Sequence, residues 1–295
     1  MGKYRTRELT QRVRYALLAG VAGAFLIPQV AAAAPTGEVV VTGGVHVGRT
    51  TTAAGTDTNI TATAANNVIK WADYSVKQGE KVEYDGKNYL NIVTGGNTSA
   101  INGTIKNTGG DIYLVNPNGV IFGKTASVNV GNLYVSTQEE STLNMTAFTG
   151  SGNSPLSTTV TDVGKADVVN MGSITATNVE VVGKSIRFLN AANVNGPVVM
   201  HTDTANDGTA HIGYRGTAPT GGYTVNGAAA TATNNYYQLV GTTAELQAMN
   251  SGLAKNYMLE NDIDFSSGSL TPIGSSATPF TGKLDGNFFK VKNFT

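Results

Sequence analysis

The sequence contains no cysteine, only 8 prolines and a single tryptophan, and just 14% of its residues are charged. Without cysteine there is neither a disulfide scaffold nor a thiolate zinc site. The three histidines, His46, His201 and His211, have no metal-ligand spacing, so no metal and no cofactor is expected. Charge of either sign is scarce and formally balanced, with 20 basic and 20 acidic residues. Five of the basic residues (Lys3, Arg5, Arg7, Arg12 and Arg14) fall before residue 15, with Glu8 as the only acid among them, and setting that segment aside leaves 15 basic and 19 acidic residues. No basic stripe remains to neutralise phosphates, which excludes a nucleic-acid partner. Long apolar runs are lacking too: residues 16–27 form a run of twelve, too short to span a bilayer. Neither a nucleophile elbow nor a phosphate loop is present.

That short run has a purpose of its own. A basic segment, residues 1–14, precedes it, Pro28 breaks it, and Val30 with Ala31, Ala32, Ala33 and Ala34 supplies small residues for cleavage. This is the layout of a secretory signal peptide, which assigns residues 1–33 to the Sec machinery, with the cut near Ala32 or Ala33 because Pro35 is a poor residue directly after it. The missing cysteine then acquires a reading. A chain that must cross an oxidising periplasm unfolded cannot tolerate a disulfide-closed loop.

What the chain has in abundance is glycine (36 residues), with Thr, Asn, Ala and Val. Such residues suit strands joined by tight turns and carry a penalty in helices. From Glu38 onward, short segments of period two recur, including residues 38–42, 45–47, 112–115 and 179–182. Turn-forming segments precede branched apolar residues at Ile105, Ile174 and Val194, and the last two lie twenty residues apart, about one coil of a parallel β-solenoid. A β-sandwich also yields many short strands. A solenoid must cover the unpaired edge of its first coil, so the first thirty or so mature residues, with the strands of residues 39–47, are expected to form a cap. One helix is expected, over residues 242–250, where Thr242 and Glu245 have capping-box spacing and Leu246 with Met249 makes an apolar face.

The most informative stretch is residues 111–123, where two short strands flank Asn116-Pro117-Asn118-Gly119. Pro117 presets φ at the second turn position, Asn116 can bond back to the turn backbone, and Gly119 suits the fourth position of a type I turn. Followed by Val120-Ile121-Phe122-Gly123, this motif resembles the hallmark of the filamentous haemagglutinin family, the exoproteins of two-partner secretion. The resemblance extends over residues 68–76 with Trp71, 79–84, 91–93 with Asn91, 99–105 with Asn102 and Gly103, and 131–137. It implies an all-β fold, a right-handed parallel β-helix with an N-terminal capping sheet. It also implies recognition by the periplasmic domains of a dedicated outer-membrane transporter, and a chain that is secreted or held at the cell surface. Asn116-Pro117 is the only Asn-Pro pair in the sequence. Family members with a second Asn-Pro-Asn-Leu element are therefore less similar, which turns the comparison from haemolysins toward adhesins with a host or cell-surface ligand. Two roles for residues 116–119 stay open: contact with the transporter, or a turn that lets the first coils nucleate. The two-partner secretion module is placed at residues 34–235.

Residues 236–295 look different. Segments 257–264, 271–274 and 279–287 resemble the GLUG-type repeat of bacterial surface proteins, and the pattern is still running at Thr295, so this region is expected to be the truncated start of an array. Asp262, Asp264 and Asp285 could be the paired acids of a secreted β-helical polysaccharide-degrading enzyme, but turn and coil-edge solvation within the repeat accounts for them better, and their spacing matches no EF-hand. Trp71 could stack on a sugar, yet its place in an alternating strand favours core packing, and His46, in a Val-His-Val strand, should face solvent. The expectation is a secretion module without enzymatic activity, not a hydrolase.

Overall fold

The computed structural model describes residues 34–159, 163–287 and 289–293; the segment read as a signal peptide lies outside them. The chain divides into two compact units, one spanning Ala31–Tyr236 and the other containing Tyr237–Thr295.

In the first unit, β-branched and aromatic residues at period two build three sheets whose strands succeed one another coil by coil. One sheet contains Asn66–Trp71, Asn88–Val93, Ile112–Val115, Asn132–Ser136, Asn178–Gly183, Val198–Thr202 and Tyr223–Val225, paired in parallel in that order. A second runs through Gly55–Thr61, Lys81–Tyr84, Thr104–Asn107, Ser127–Val130, Ser173–Thr175 and Val194–Asn195. A third contains Ser99–Ile101, Val120–Phe122, Val168–Asn170, Ile186–Phe188 and Ala210–Tyr214. This is a parallel β-helix. Register stacks like on like: Val82, Ile105, Val128, Ile174 and Val194 occupy one inward column, so the twenty-residue spacing of Ile174 and Val194 is one coil. Such columns form a single buried core, each strand sealing the one before.

Polar residues also form columns. At the corner before the first sheet, the Asn88 side chain donates to Asn66 Oδ1 (2.9 Å), Asn132 donates to Asp111 Oδ1 (2.8 Å) and Asn178 donates to Asn132 Oδ1 (3.0 Å). Each amide bonds to the neighbouring coil, so these side chains satisfy one another along the stack.

The cap is where it was expected. Val39–Thr42 lies antiparallel on Asn66–Trp71, covering the edge of the first sheet. His46–Thr52 and Gly55–Thr61 form an antiparallel hairpin whose second arm pairs with Lys81–Tyr84, covering the second. His46 is exposed.

One expectation is corrected. Helix 242–250 is not alone: between Ser136 and Val168 the chain leaves the coil path and forms a second helix, Met145–Ser151. Asn144 caps it, its Oδ1 accepting from the Ala147 N–H at 3.0 Å, and Gly152 ends it at φ +71°. With two threonines, a serine and a glycine among seven residues, its intrinsic propensity is poor. Tertiary packing holds it. Phe148 and Leu143 bury themselves against Val68, Leu90, Ile92, Tyr113 and Val115 on the outer face of the first sheet, with the Phe148 ring edge-on to Tyr113 at 5.2 Å.

The second unit repeats the parallel pairing on a smaller scale. Tyr236–Val240, Tyr257–Leu259 and Leu284–Asp285 pair in register, as do Ile263–Asp264 and Val291–Lys292. Helix Thr243–Ala248 carries the capping box between Thr242 and Glu245, and Leu246 and Met249 pack with Leu259, Ile263 and Phe265.

Candidate functional site

The turn of residues 116–119 links the first sheet to the third, between Ile112–Val115 and Val120–Phe122. The Gly119 N–H donates to Asn116 O at 3.0 Å, closing a β-turn, and Gly119 sits at φ +103°, where a side chain would be strained. Asn116 is buried, and its amide is fully used. Nδ2 donates to Asn97 O and Ser99 Oγ, both at 2.9 Å, while Oδ1 accepts from the Asn118 N–H at 2.9 Å. Asn118 Nδ2 donates to Gly95 O at 2.8 Å, and Thr98 Oγ1 donates to Asn118 O at 2.7 Å. Both asparagines thus grip the preceding coil, and the Asn116 N–H reaches the following one at Ser136 O (2.9 Å). Asn116 and Gly119 are enclosed by these contacts; Pro117 and Asn118 remain partly exposed.

Trp71 and Asn91 meet inside the first coils. Asn91 occupies an inward column otherwise made of Ile69, Leu114, Val135, Val181 and Met200. Its Oδ1 accepts from Trp71 Nε1 and from the Tyr84 hydroxyl, each at 3.0 Å, and Nδ2 donates to Tyr113 O at 3.2 Å. The Tyr84 proton is thereby committed, so Tyr74 donates its own to the Tyr84 oxygen at 2.7 Å. Burial pushes both phenols well above the usual tyrosine range, reinforced at Tyr84 by Tyr74, and the network stays neutral. Trp71 also meets Tyr74 edge-on at 5.7 Å. It is a core residue, closed to any sugar.

Asn102, Gly103, Ile121 and Gly123 cluster at the next corner. A Cβ at Gly103 would lie 2.3 Å from Lys77 O and 2.4 Å from Glu80 O, so close backbone approach requires that glycine, whereas one at Gly123 would meet the Asn102 side-chain oxygen, the end of a flexible side chain. The Gly123 N–H donates to Ile101 O at 2.7 Å and the Asn102 N–H to Val76 O at 2.7 Å. Ile121, flanked in register by Ala100 and Val169, is buried but outside the central core.

Sequence reasoning passed over Tyr74, Tyr84 and Glu80 as individuals, although all three lie in the segments that carry the resemblance. Glu80 is 1% exposed. Its carboxylate accepts from the N–H groups of Ala34 (3.0 Å), Thr56 (3.0 Å) and Lys77 (2.9 Å), tying the start of the cap, the hairpin and the first coil to one side chain.

The acids considered for hydrolysis do not converge. Asp262 pairs with Lys292 and accepts from the Lys290 N–H (2.9 Å); Asp264 accepts from the Ser266 N–H and Asn293 Nδ2, each at 2.8 Å; Asp285 accepts from the Asn287 N–H at 2.8 Å. Each pins a local turn or the neighbouring strand.

Comparison with known proteins follows the same line. Two Heme/hemopexin-binding proteins of Haemophilus influenzae are similar in sequence. One is 33% identical over 123 residues, 40% of this chain and 13% of that protein. The other is 36% identical over 75 residues, 24% of this chain and 8% of that protein. The chain thus spans only a small part of these relatives' length. Among solved structures, the HMW1 secretion domain from Haemophilus influenzae covers 80% of this chain and 64% of its own, at 16% identity and a TM-score of 0.39. The family model described as the TPS secretion domain matches residues 31–263. The chain belongs to that family, the modules by which two-partner-secreted exoproteins are exported through an outer-membrane transporter.

Proposed function

We propose that residues 34–235 form the recognition module of a longer adhesin-like exoprotein, delivered to the periplasm by a signal peptide at residues 1–33 and read there by the periplasmic domains of its transporter. The observation that carries this reading is the match to the secretion domain over residues 31–263. On this reading residues 116–119 act chiefly by shape. Asn116 and Gly119 lock the turn between successive coils, and the partly exposed Pro117 and Asn118 are what a partner could touch. Residues 236–295 open a GLUG-type array, beyond which a host or cell-surface ligand would bind. The relatives' printed names speak of heme and hemopexin, but the aligned part is so small a share of those proteins that no such binding is carried over.

Secretion of point variants from cells expressing the transporter tests the assignment. Asn116→Ala and Pro117→Ala should each reduce the secreted amount several-fold, with the missing protein retained in the periplasm. Wild-type secretion of both would remove these residues from the mechanism.

A further inference from the structure

We propose that the bond between Ala33 and Ala34 is the processing site, and that the α-ammonium released at Ala34 becomes the cation that neutralises the buried carboxylate of Glu80. The inference rests on the signal-peptide reading of residues 1–33.

The acceptor is already in place. Glu80 Oε2 lies 3.0 Å from the Ala34 nitrogen, with Lys77 N at 2.9 Å from the same oxygen and Thr56 N at 3.0 Å from Oε1. Both Ala34 and Glu80 are 1% exposed. Among the described residues no Lys, Arg or His side chain forms an ion pair with Glu80. Three backbone N–H groups hold this carboxylate, and replacing the Ala34 amide among them by an ammonium turns one of those contacts into a charge-assisted ion pair.

The backbone points the same way. Ala34 sits at φ +62°, a left-handed conformation unfavourable for a residue with a Cβ. That torsion is defined by the carbonyl carbon of residue 33. Hydrolysis adds water across the Ala33–Ala34 peptide bond, leaving a carboxylate on Ala33 and an ammonium on Ala34, and the strained torsion ceases to exist. Ala31 and Ala33 supply the small residues that a signal peptidase requires three and one positions before the cut. Removal of the leader thus tightens the cap: the hairpin, the chain start and the first coil already converge on Glu80, and the new terminus adds a charge to that junction.

N-terminal sequencing of the secreted chain comes first. Thermal midpoints are then compared for four secreted chains: native, extended by a Gly-Ser dipeptide ahead of Ala34, Glu80→Gln, and both together. The expected start is Ala34, and the extension should lower the midpoint by roughly 5 °C in the native background but leave Glu80→Gln nearly unchanged. In the folded native chain the α-amine should react with an acylating reagent at least about tenfold more slowly than in urea, as a buried, ion-paired amine must. A start at Met1 would overturn the signal-peptide reading and this proposal together. A start at any other residue, equal losses in both backgrounds, or an amine as reactive folded as unfolded would overturn the proposal alone. The acylation rate decides the matter even if Glu80→Gln fails to fold.

Discussion

Asn91 occupies a position that its column fills with aliphatic side chains in neighbouring coils, and it is tolerated there because every polar atom of its amide has a partner. Replacing it with Leu leaves the Trp71 indole N–H and the Tyr84 hydroxyl without an acceptor. The expected loss is about 2–4 kcal/mol, read as a lower urea midpoint at unchanged slope. Gly103→Ala would set its Cβ 2.3 Å from Lys77 O and 2.4 Å from Glu80 O, both backbone atoms, and should cost about 1–3 kcal/mol by the same measurement. Much of this scale was legible beforehand. The turn chemistry of residues 116–119 and the core position of Trp71 follow from residue types and alternation. The Asn91 partners do not, because each contact with Trp71, Tyr84 and Tyr113 crosses to another strand, and an asparagine inside a strand reads as outward-facing. Glu80 was hidden for a related reason: a single acid between Gly79 and Lys81 looks like a turn, and only the fold brings Ala34 and Thr56 to it.

At the scale of elements, the helix of the second unit could be read from local rules, whereas the pairing of His46–Thr52 with Gly55–Thr61 as a hairpin and helix Met145–Ser151 could not. The residues of that helix oppose helix formation, and it exists because Phe148 has the outer face of a sheet to cover. Phe148→Ala should therefore melt the helix and cost about 3–4 kcal/mol of global stability, visible as rapid amide exchange confined to residues 143–152 and a lower urea midpoint. A second element-level expectation concerns acid. Glu83 lies between Lys106, which donates to it at 2.8 Å, and Lys81, also in contact at 2.7 Å. These hydrogen bonds, Lys106 first, hold its carboxyl at about 2 against an ordinary 4.5. Since the folded-state value is the lower one, its stabilisation is complete above about pH 4.5 and disappears as pH falls toward 2. The pair is partly exposed, so the effect is small. Glu83→Gln should lower the thermal midpoint slightly at pH 7 and flatten its fall between pH 4.5 and 2.

For the whole molecule, the twenty-residue interval between Ile174 and Val194 translated directly into register, and the demand for a covered first edge located the cap. The excursion between Ser136 and Val168 was the illegible part: it is rich in serine and threonine and poor in branched apolar residues, which marks a break in the period without saying what replaces it. We propose that stacking coil on coil gives export its direction, each coil that folds outside the cell keeping the chain from slipping back, without ATP. Ile174→Pro, which interrupts the second sheet and its inward column, should slow export several-fold in pulse-chase while leaving processing of the leader unchanged. Unchanged export kinetics would separate coil folding from transport.

Release of the full chain from cells with and without a two-partner outer-membrane transporter tests the central claim most directly. The protein should reach the medium or the cell surface only when that transporter is present, and otherwise accumulate in the periplasm. Equal release from cells lacking the transporter would contradict the account.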